Sequence, residues 1–138
     1  PGLTETYDTI DHLAAAGIEY VADWVLDDQP VEIATKSGSV LSIPYTVETN
    51  DIPMIAVQQH QGDEILSRTK AQFDQLYSES ADITRIMAIS LHPYITGVPH
   101  RIGYLENILA YIRNKPGVLM WTGEKLLDWY RTQRPGQP

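Results

Sequence analysis

Three places in this 138-residue chain combine residue types that can do chemistry. His92 directly follows the apolar run Ile86-Met87-Ala88-Ile89-Ser90-Leu91, and Pro93 fixes the backbone behind it. A histidine at the end of a buried strand can be partly desolvated and tuned for proton transfer near neutral pH. The plainer alternative is an imidazole satisfied by a backbone carbonyl. Asp23 closes the segment Ile18-Glu19-Tyr20-Val21-Ala22. A carboxylate there would orient an imidazole, as in hydrolytic dyads and triads, or simply cap a loop. Trp24 beside it, and Trp121 at the end of Gly117-Val118-Leu119-Met120-Trp121, would wall a pocket for a methyl group or a flat ring, or else pack in the core.

The elements that must position these residues are legible as alternating patterns. Thr4 is read as a helix cap, with Glu5 and Asp8 near the positive end of the dipole, Ile10, Leu13 and Ala14 on one face, and Gly17 as the stop. The segment 18–22 reads as a strand. Val31 to Thr35 and Val40 to Tyr45 flank Lys36-Ser37-Gly38-Ser39 as a hairpin. Pro53 to Gln59 is open between strand and short helix. A long helix is expected from Gly62-Asp63 to about Ser80, with Leu66, Phe73 and Tyr77 on one side. Another runs from about His100 to Asn114, with Ile102, Leu105, Ile108, Leu109 and Ile112 inward, and a last one from Gly123 to Thr132. The runs 86–91 and 117–121 are apolar enough to be strands buried on both faces.

Helices alternating with buried strands argue for parallel βα units, whose carboxyl ends share one rim where sites are built. The fold class expected is therefore α/β: parallel strands with a hairpin excursion, in a single domain over 1–132 with a frayed tail at 133–138. Three parallel strands and a hairpin are fewer than a closed barrel needs, so the piece is either part of a larger barrel or an open sheet needing a partner across its exposed edge.

Composition excludes several classes. Eighteen acidic against ten basic residues give a net charge of −8, with the Lys and Arg scattered, so nucleic acid is not an expected partner. Without cysteine there are no disulfides and no thiolate metal sites. No apolar run approaches the roughly 20 residues of a membrane span, and no basic region followed by an apolar one opens the chain, so a cytoplasmic location is expected. The cluster Asp23, Asp27, Asp28 and Glu32 lacks the spacing and glycine of a calcium loop and reads as a solvated acidic loop. His12 and His100 read as surface residues, and His60, among Gln58, Gln59 and Gln61, is uninformative. No pair of histidines has HxxxH spacing, and no nucleophile elbow, phosphate loop or dinucleotide fingerprint occurs.

Pro1-Gly2, Asp23-Trp24, Asn50-Asp51-Ile52-Pro53 and above all His92-Pro93 through Gly97-Val98-Pro99-His100-Arg101 resemble the NodB-type polysaccharide deacetylases, more narrowly their allantoinase-like branch. The resemblance runs from residue 1 to about 131. It implies the C-terminal part of a distorted (β/α) barrel that hydrolyses C–N amide bonds. By the same resemblance His92 is the general acid, Asp23 its orienting partner, and Trp24 a pocket wall. The Asp base and Asp-His-His metal set of such enzymes fall in an N-terminal half that is absent here. A divalent, zinc-like metal is thus expected only in a full-length member, no cofactor is expected to be bound by this chain, and the chain alone should be inactive or nearly so. The expected partners are a small amide or an N-acetyl sugar as substrate, and either the missing half or a second copy of the chain. A non-catalytic ligand-binding or self-associating α/β module stays open as an alternative. So does an unrelated open α/β domain, which would bury His92 far from Asp23.

Overall fold

A computed structural model describes residues 4–133. They fall into two compact units, one formed by the stretches up to Tyr45 and from Trp121 onward, the other by Thr46–Met120. In the first unit helix α1 spans Thr9–Ala15. It starts later than Thr4 because the preceding residues fold into a local turn: the Thr6 amide and hydroxyl both meet the Thr9 hydroxyl, at 3.0 and 3.2 Å. Gly17 ends the helix as expected, at φ +83°.

Strand β1, Tyr20–Val21, β2, Val31–Thr35, and β3, Gly38–Ser42, form one sheet in the order β1-β3-β2. The expected hairpin is β2–β3, paired antiparallel from Val31–Ser42 to Thr35–Gly38. Gly38 sits at φ +119°, which explains why glycine stands directly after the two-residue turn. Strand β1 runs parallel to β3. Ile10, Val21 and Val40 are buried together, with Leu13, Ala14, Trp24 and Ile33 packed on them. Helix α4, Gly123–Gln133, completes the unit.

The second unit holds helices α2, Glu64–Glu79, and α3, Ile102–Arg113, close to the expected limits. Their facing stripes enclose Met54, Ile65, Phe73, Ile108 and Ile112. Each such side chain contributes about 1.5–3 kcal/mol by leaving water. Of the α3 residues expected inward, Ile108 and Ile112 are buried, whereas Ile102 and Leu109 are exposed over little more than a third of their surface. The ambiguous stretch after Asn50 is a π-helix, Ile52–Val57, entered at Asp51.

The two apolar runs are where the architecture departs from expectation. Residues 86–91 are extended but make a single parallel bridge, Asn50–Ser90. Residues 117–121 form no strand, and Leu119 and Met120 are exposed. An apolar run records that a segment suits a dry place; it does not supply the neighbouring edge that a strand must hydrogen-bond to. The described sheet accordingly contains one parallel and one antiparallel pairing, in place of three parallel strands. The result is a mixed α/β fold with a small sheet. The expected tail lies, from residue 134 on, outside the described residues.

Candidate functional site

Residues 46–51 and 88–92 are stitched together by a ladder that alternates side-chain and backbone bonds. The Ala88 amide donates to the Thr46 hydroxyl (3.2 Å), and the Thr49 hydroxyl donates to the Ala88 carbonyl (2.6 Å). The Ser90 amide then donates to Thr49 O (3.2 Å) and the Asp51 amide to Ser90 O (3.1 Å). Asn50 is the last extended residue, and at Asp51 the backbone turns helical, with the Asn50 side chain accepting the Ile52 amide. This turn carries the Asp51 carboxylate across to His92.

Asp51 is completely buried, yet two groups donate to it and a third, the His92 ring, lies within hydrogen-bond distance. One oxygen, Oδ2, accepts the His92 amide (2.8 Å) and the Thr96 hydroxyl (2.7 Å). The other, Oδ1, lies 2.6 Å from Nδ1 of His92. A buried carboxylate is costly unless satisfied in this way. The His92 side chain keeps 33% of its surface exposed, so Nε2 is the nitrogen left for a reacting partner. The ring of Tyr94 stands edge-on to the imidazole at 5.6 Å, itself 69% exposed.

The loop behind the histidine is closed by its own sequence. The amides of Ile95 and Thr96 both donate to the His92 carbonyl (2.9 and 3.0 Å). Gly97 passes so near Pro93 that a side chain there would overlap the Pro93 carbonyl. Arg101 donates to Ile95 O (3.1 Å) and lies across Gly62 at the start of α2. The stretch His92 to Arg101 is therefore a self-bracing loop whose effect is to aim His92 and Thr96.

Asp23, Trp24 and Trp121 belong to the other unit. Asp23 is half-buried beside Glu5. That glutamate is held above the ordinary carboxylate range, first by the hydrogen bond it shares with Asp23, then by burial and the Asp23 charge, while a hydrogen bond from Trp24 opposes the shift. The Trp24 ring also packs on Ile10, Val21 and Val40, as the core reading foresaw. Trp121 meets Trp129 edge-on at 6.2 Å and is 42% exposed. His12, His60 and His100 are exposed.

Sequence reasoning looked for a carboxylate at Asp23 and passed over the one at Nδ1. Asp51 and Thr96 were missed, although Thr49-Asn50-Asp51-Ile52-Pro53 is turn-like in sequence. The resemblance implies a divalent metal, but among the described residues no three of His, Cys, Asp and Glu converge to hold one. Among them, too, no helix is long and apolar enough to cross a membrane.

No family model matches the chain. It is 30% identical over 119 residues to a Schizosaccharomyces pombe protein assigned as a polysaccharide deacetylase, an alignment covering 81% of this chain and 36% of that protein. The crystal structure of a Pseudomonas aeruginosa protein assigned as a polysaccharide deacetylase superposes with a TM-score of 0.77 at 30% identity, covering 86% of this chain and 40% of that one. The PuuE allantoinase superposes with a TM-score of 0.89 at 27% identity, over 96% and 45% respectively. A Mycobacterium smegmatis structure shares the fold at 19% identity (TM-score 0.77; 93% and 46% covered). The chain thus spans less than half the length of each of these relatives. Sequence and structural neighbours together point, over part of their length, to the polysaccharide deacetylase (NodB-like) family, an allantoinase among them.

Proposed function

We propose that this chain is the part of a C–N amide hydrolase that protonates the leaving nitrogen, with His92 as general acid. The observation that carries the reading is the imidazole itself: Nδ1 is anchored on a buried carboxylate while a third of the side chain stays exposed. When a tetrahedral intermediate collapses, the C–N bond breaks and its electron pair takes a proton from Nε2, which returns the ring to neutrality. Following the resemblance and the residue types, Asp23 is proposed as a carboxylate that stabilises the imidazolium, and Trp24 and Trp121 as pocket walls. The attacking water and its activation would come from residues beyond this chain, supplied by a longer protein or a partner.

The relatives are named for polysaccharides and for allantoin, so the proposed substrate is an N-acetylated sugar or a small cyclic amide. The test is amide hydrolysis by the full-length protein over a panel of N-acetyl sugars and ureides. His92→Ala is expected to lower turnover by about 10²–10⁴-fold. Turnover near the wild-type level would end the general-acid reading. Exposed Leu119 and Met120 favour a second reading, a self-associating module without catalysis. A concentration-dependent dimer of an inactive full-length protein would support it.

A further inference from the structure

We propose that Asp51 is the positioning residue that fixes the tautomer of His92, and that Thr96 holds Asp51 in the pose this requires; the proposal rests on the general-acid reading above. The asymmetry of the carboxylate carries it. Oδ2 is occupied by two groups that only donate here, the His92 amide at 2.8 Å and the Thr96 hydroxyl at 2.7 Å. Oδ1 is left for Nδ1 at 2.6 Å. Against a carboxylate at Asp51, whose oxygens only accept and whose Oδ2 already takes two donors, Nδ1 must carry the hydrogen of that bond. The neutral ring is then the Nδ1–H tautomer, with its lone pair on Nε2. A proton taken up arrives on Nε2, the nitrogen that can surrender it to a leaving group. The amide of His92 and its own ring are thus bonded to the two oxygens of one carboxylate, which locks the ring's rotation as well as its protonation.

The same asymmetry fixes what an amide at position 51 would do. In Asp51→Asn the carbonyl oxygen must take the Oδ2 place, because the His92 amide and the Thr96 hydroxyl both need an acceptor there. The NH2 group is forced towards Nδ1 and donates to it. Nδ1 is left without hydrogen, and the neutral tautomer switches to Nε2–H. Protonation of such a ring would set two donors against each other at Nδ1, so the imidazolium needed for general acid catalysis is disfavoured.

The experiment is ¹⁵N NMR of the histidine ring nitrogens in the full-length protein, with the His92 signals assigned through His92→Gln. The neutral ring of the wild type is expected to show the Nδ1–H tautomer, and that of Asp51→Asn the Nε2–H tautomer. Turnover of Asp51→Asn should fall by about 10⁴-fold, the scale of a reversed tautomer in a hydrolytic triad, with KM within about threefold of wild type. Thr96→Val, which removes one donor and keeps the rest, should lower turnover by about tenfold without switching the tautomer. A wild-type ring found as Nε2–H overturns the proposal without recourse to any variant, and so does an Asp51→Asn ring that stays Nδ1–H. These outcomes are independent of activity: if His92→Ala leaves turnover intact, the general-acid reading fails while the tautomer assignment stands or falls on the spectra.

Discussion

Gly97→Ala isolates the bracing of the site from its chemistry. A β-carbon built at Gly97 lies 2.6 Å from the Pro93 carbonyl oxygen, 3.0 Å from its Cα and 3.2 Å from its carbonyl carbon, all backbone atoms that no rotamer change can move. Ordinary contact begins at 3.4 Å, so the turn must open by about 0.8 Å, the difference between 3.4 and 2.6 Å. The atoms that would be displaced are held by the Ile95 and Thr96 amides on the His92 carbonyl, and Thr96 is the residue bonded to Asp51. Such overpacking costs about 1–3 kcal/mol, which for a chain of this size lowers Tm by about 4–10 °C. Displacement of the acid by a fraction of an ångström should also cost up to about 10²-fold in turnover. The control is the same change at Gly103, in α3, where a β-carbon meets nothing within 4 Å. There alanine is expected to stabilise by about 0.5–1 kcal/mol through helix propensity. Thermal melts of the two variants should therefore move in opposite directions, and only Gly97→Ala should affect turnover. A Gly97→Ala melt within about 1 °C of wild type would refute the claim that the loop is braced by backbone contact at this position.

Two further expectations follow from the hydrogen bonds. Thr49→Val removes the fully buried hydroxyl that donates to the Ala88 carbonyl at 2.6 Å. It should cost about 1–3 kcal/mol in denaturant unfolding, with faster amide exchange at Ala88 and Ser90. Asp11, gripped by the Lys36 ammonium (2.8 Å) and backbone amide (2.9 Å), is held below the ordinary aspartate range, chiefly by the side-chain hydrogen bond to Lys36. A depressed folded-state value stabilises above the unfolded value of about 3.9 and loses that stabilisation as pH falls through the folded one. Lys36 is raised by the same bond, so its contribution is lost only as pH rises through the folded value, in the alkaline range. Asp11→Asn should thus be less stable than wild type between about pH 4 and 10 and converge with it in acid. Equal melting temperatures across pH 3–8 would remove any role for the pair. Glu5 acts in the opposite sense: its raised value favours the folded state in acid, and that contribution disappears as pH rises through it.

Where a local signal sufficed, the sequence was informative. Gly17 and Gly38 stand at positive φ where a helix stop and a hairpin turn were expected, and the 3.6-residue stripes of α2 and α3 gave Phe73, Ile108 and Ile112 as core. The start of α1 was misread because Thr4 has cap chemistry, but the Thr6–Thr9 pair satisfies the chain ends locally and moves the helix to Thr9. The runs 86–91 and 117–121 were overread for a different reason. Hydrophobicity reports burial, and pairing depends on which edge is on offer.

The carboxylate opposite His92 was not legible for a reason that also explains why it is held so firmly. Asp51 and His92 are 41 positions apart, and what brings them together is the parallel register at Asn50–Ser90. One residue beyond that bridge on one strand, and two beyond it on the other, lie the carboxylate and the imidazole. Because side chains alternate along extended backbone, a slip of one residue would turn His92 or Asp51 to the opposite face and break all three bonds to the carboxylate. The register is in turn enforced by side chains, since Thr46 and Thr49 bond to both the amide and the carbonyl of Ala88. A threonine at 49 therefore bears on the proton at His92 without touching it. Weakening this ladder should loosen the imidazole's aim, and because Met87 and Ile89 of the same segment pack on the core of Met54, Phe73 and Ile108, the effect should reach the helices through that contact.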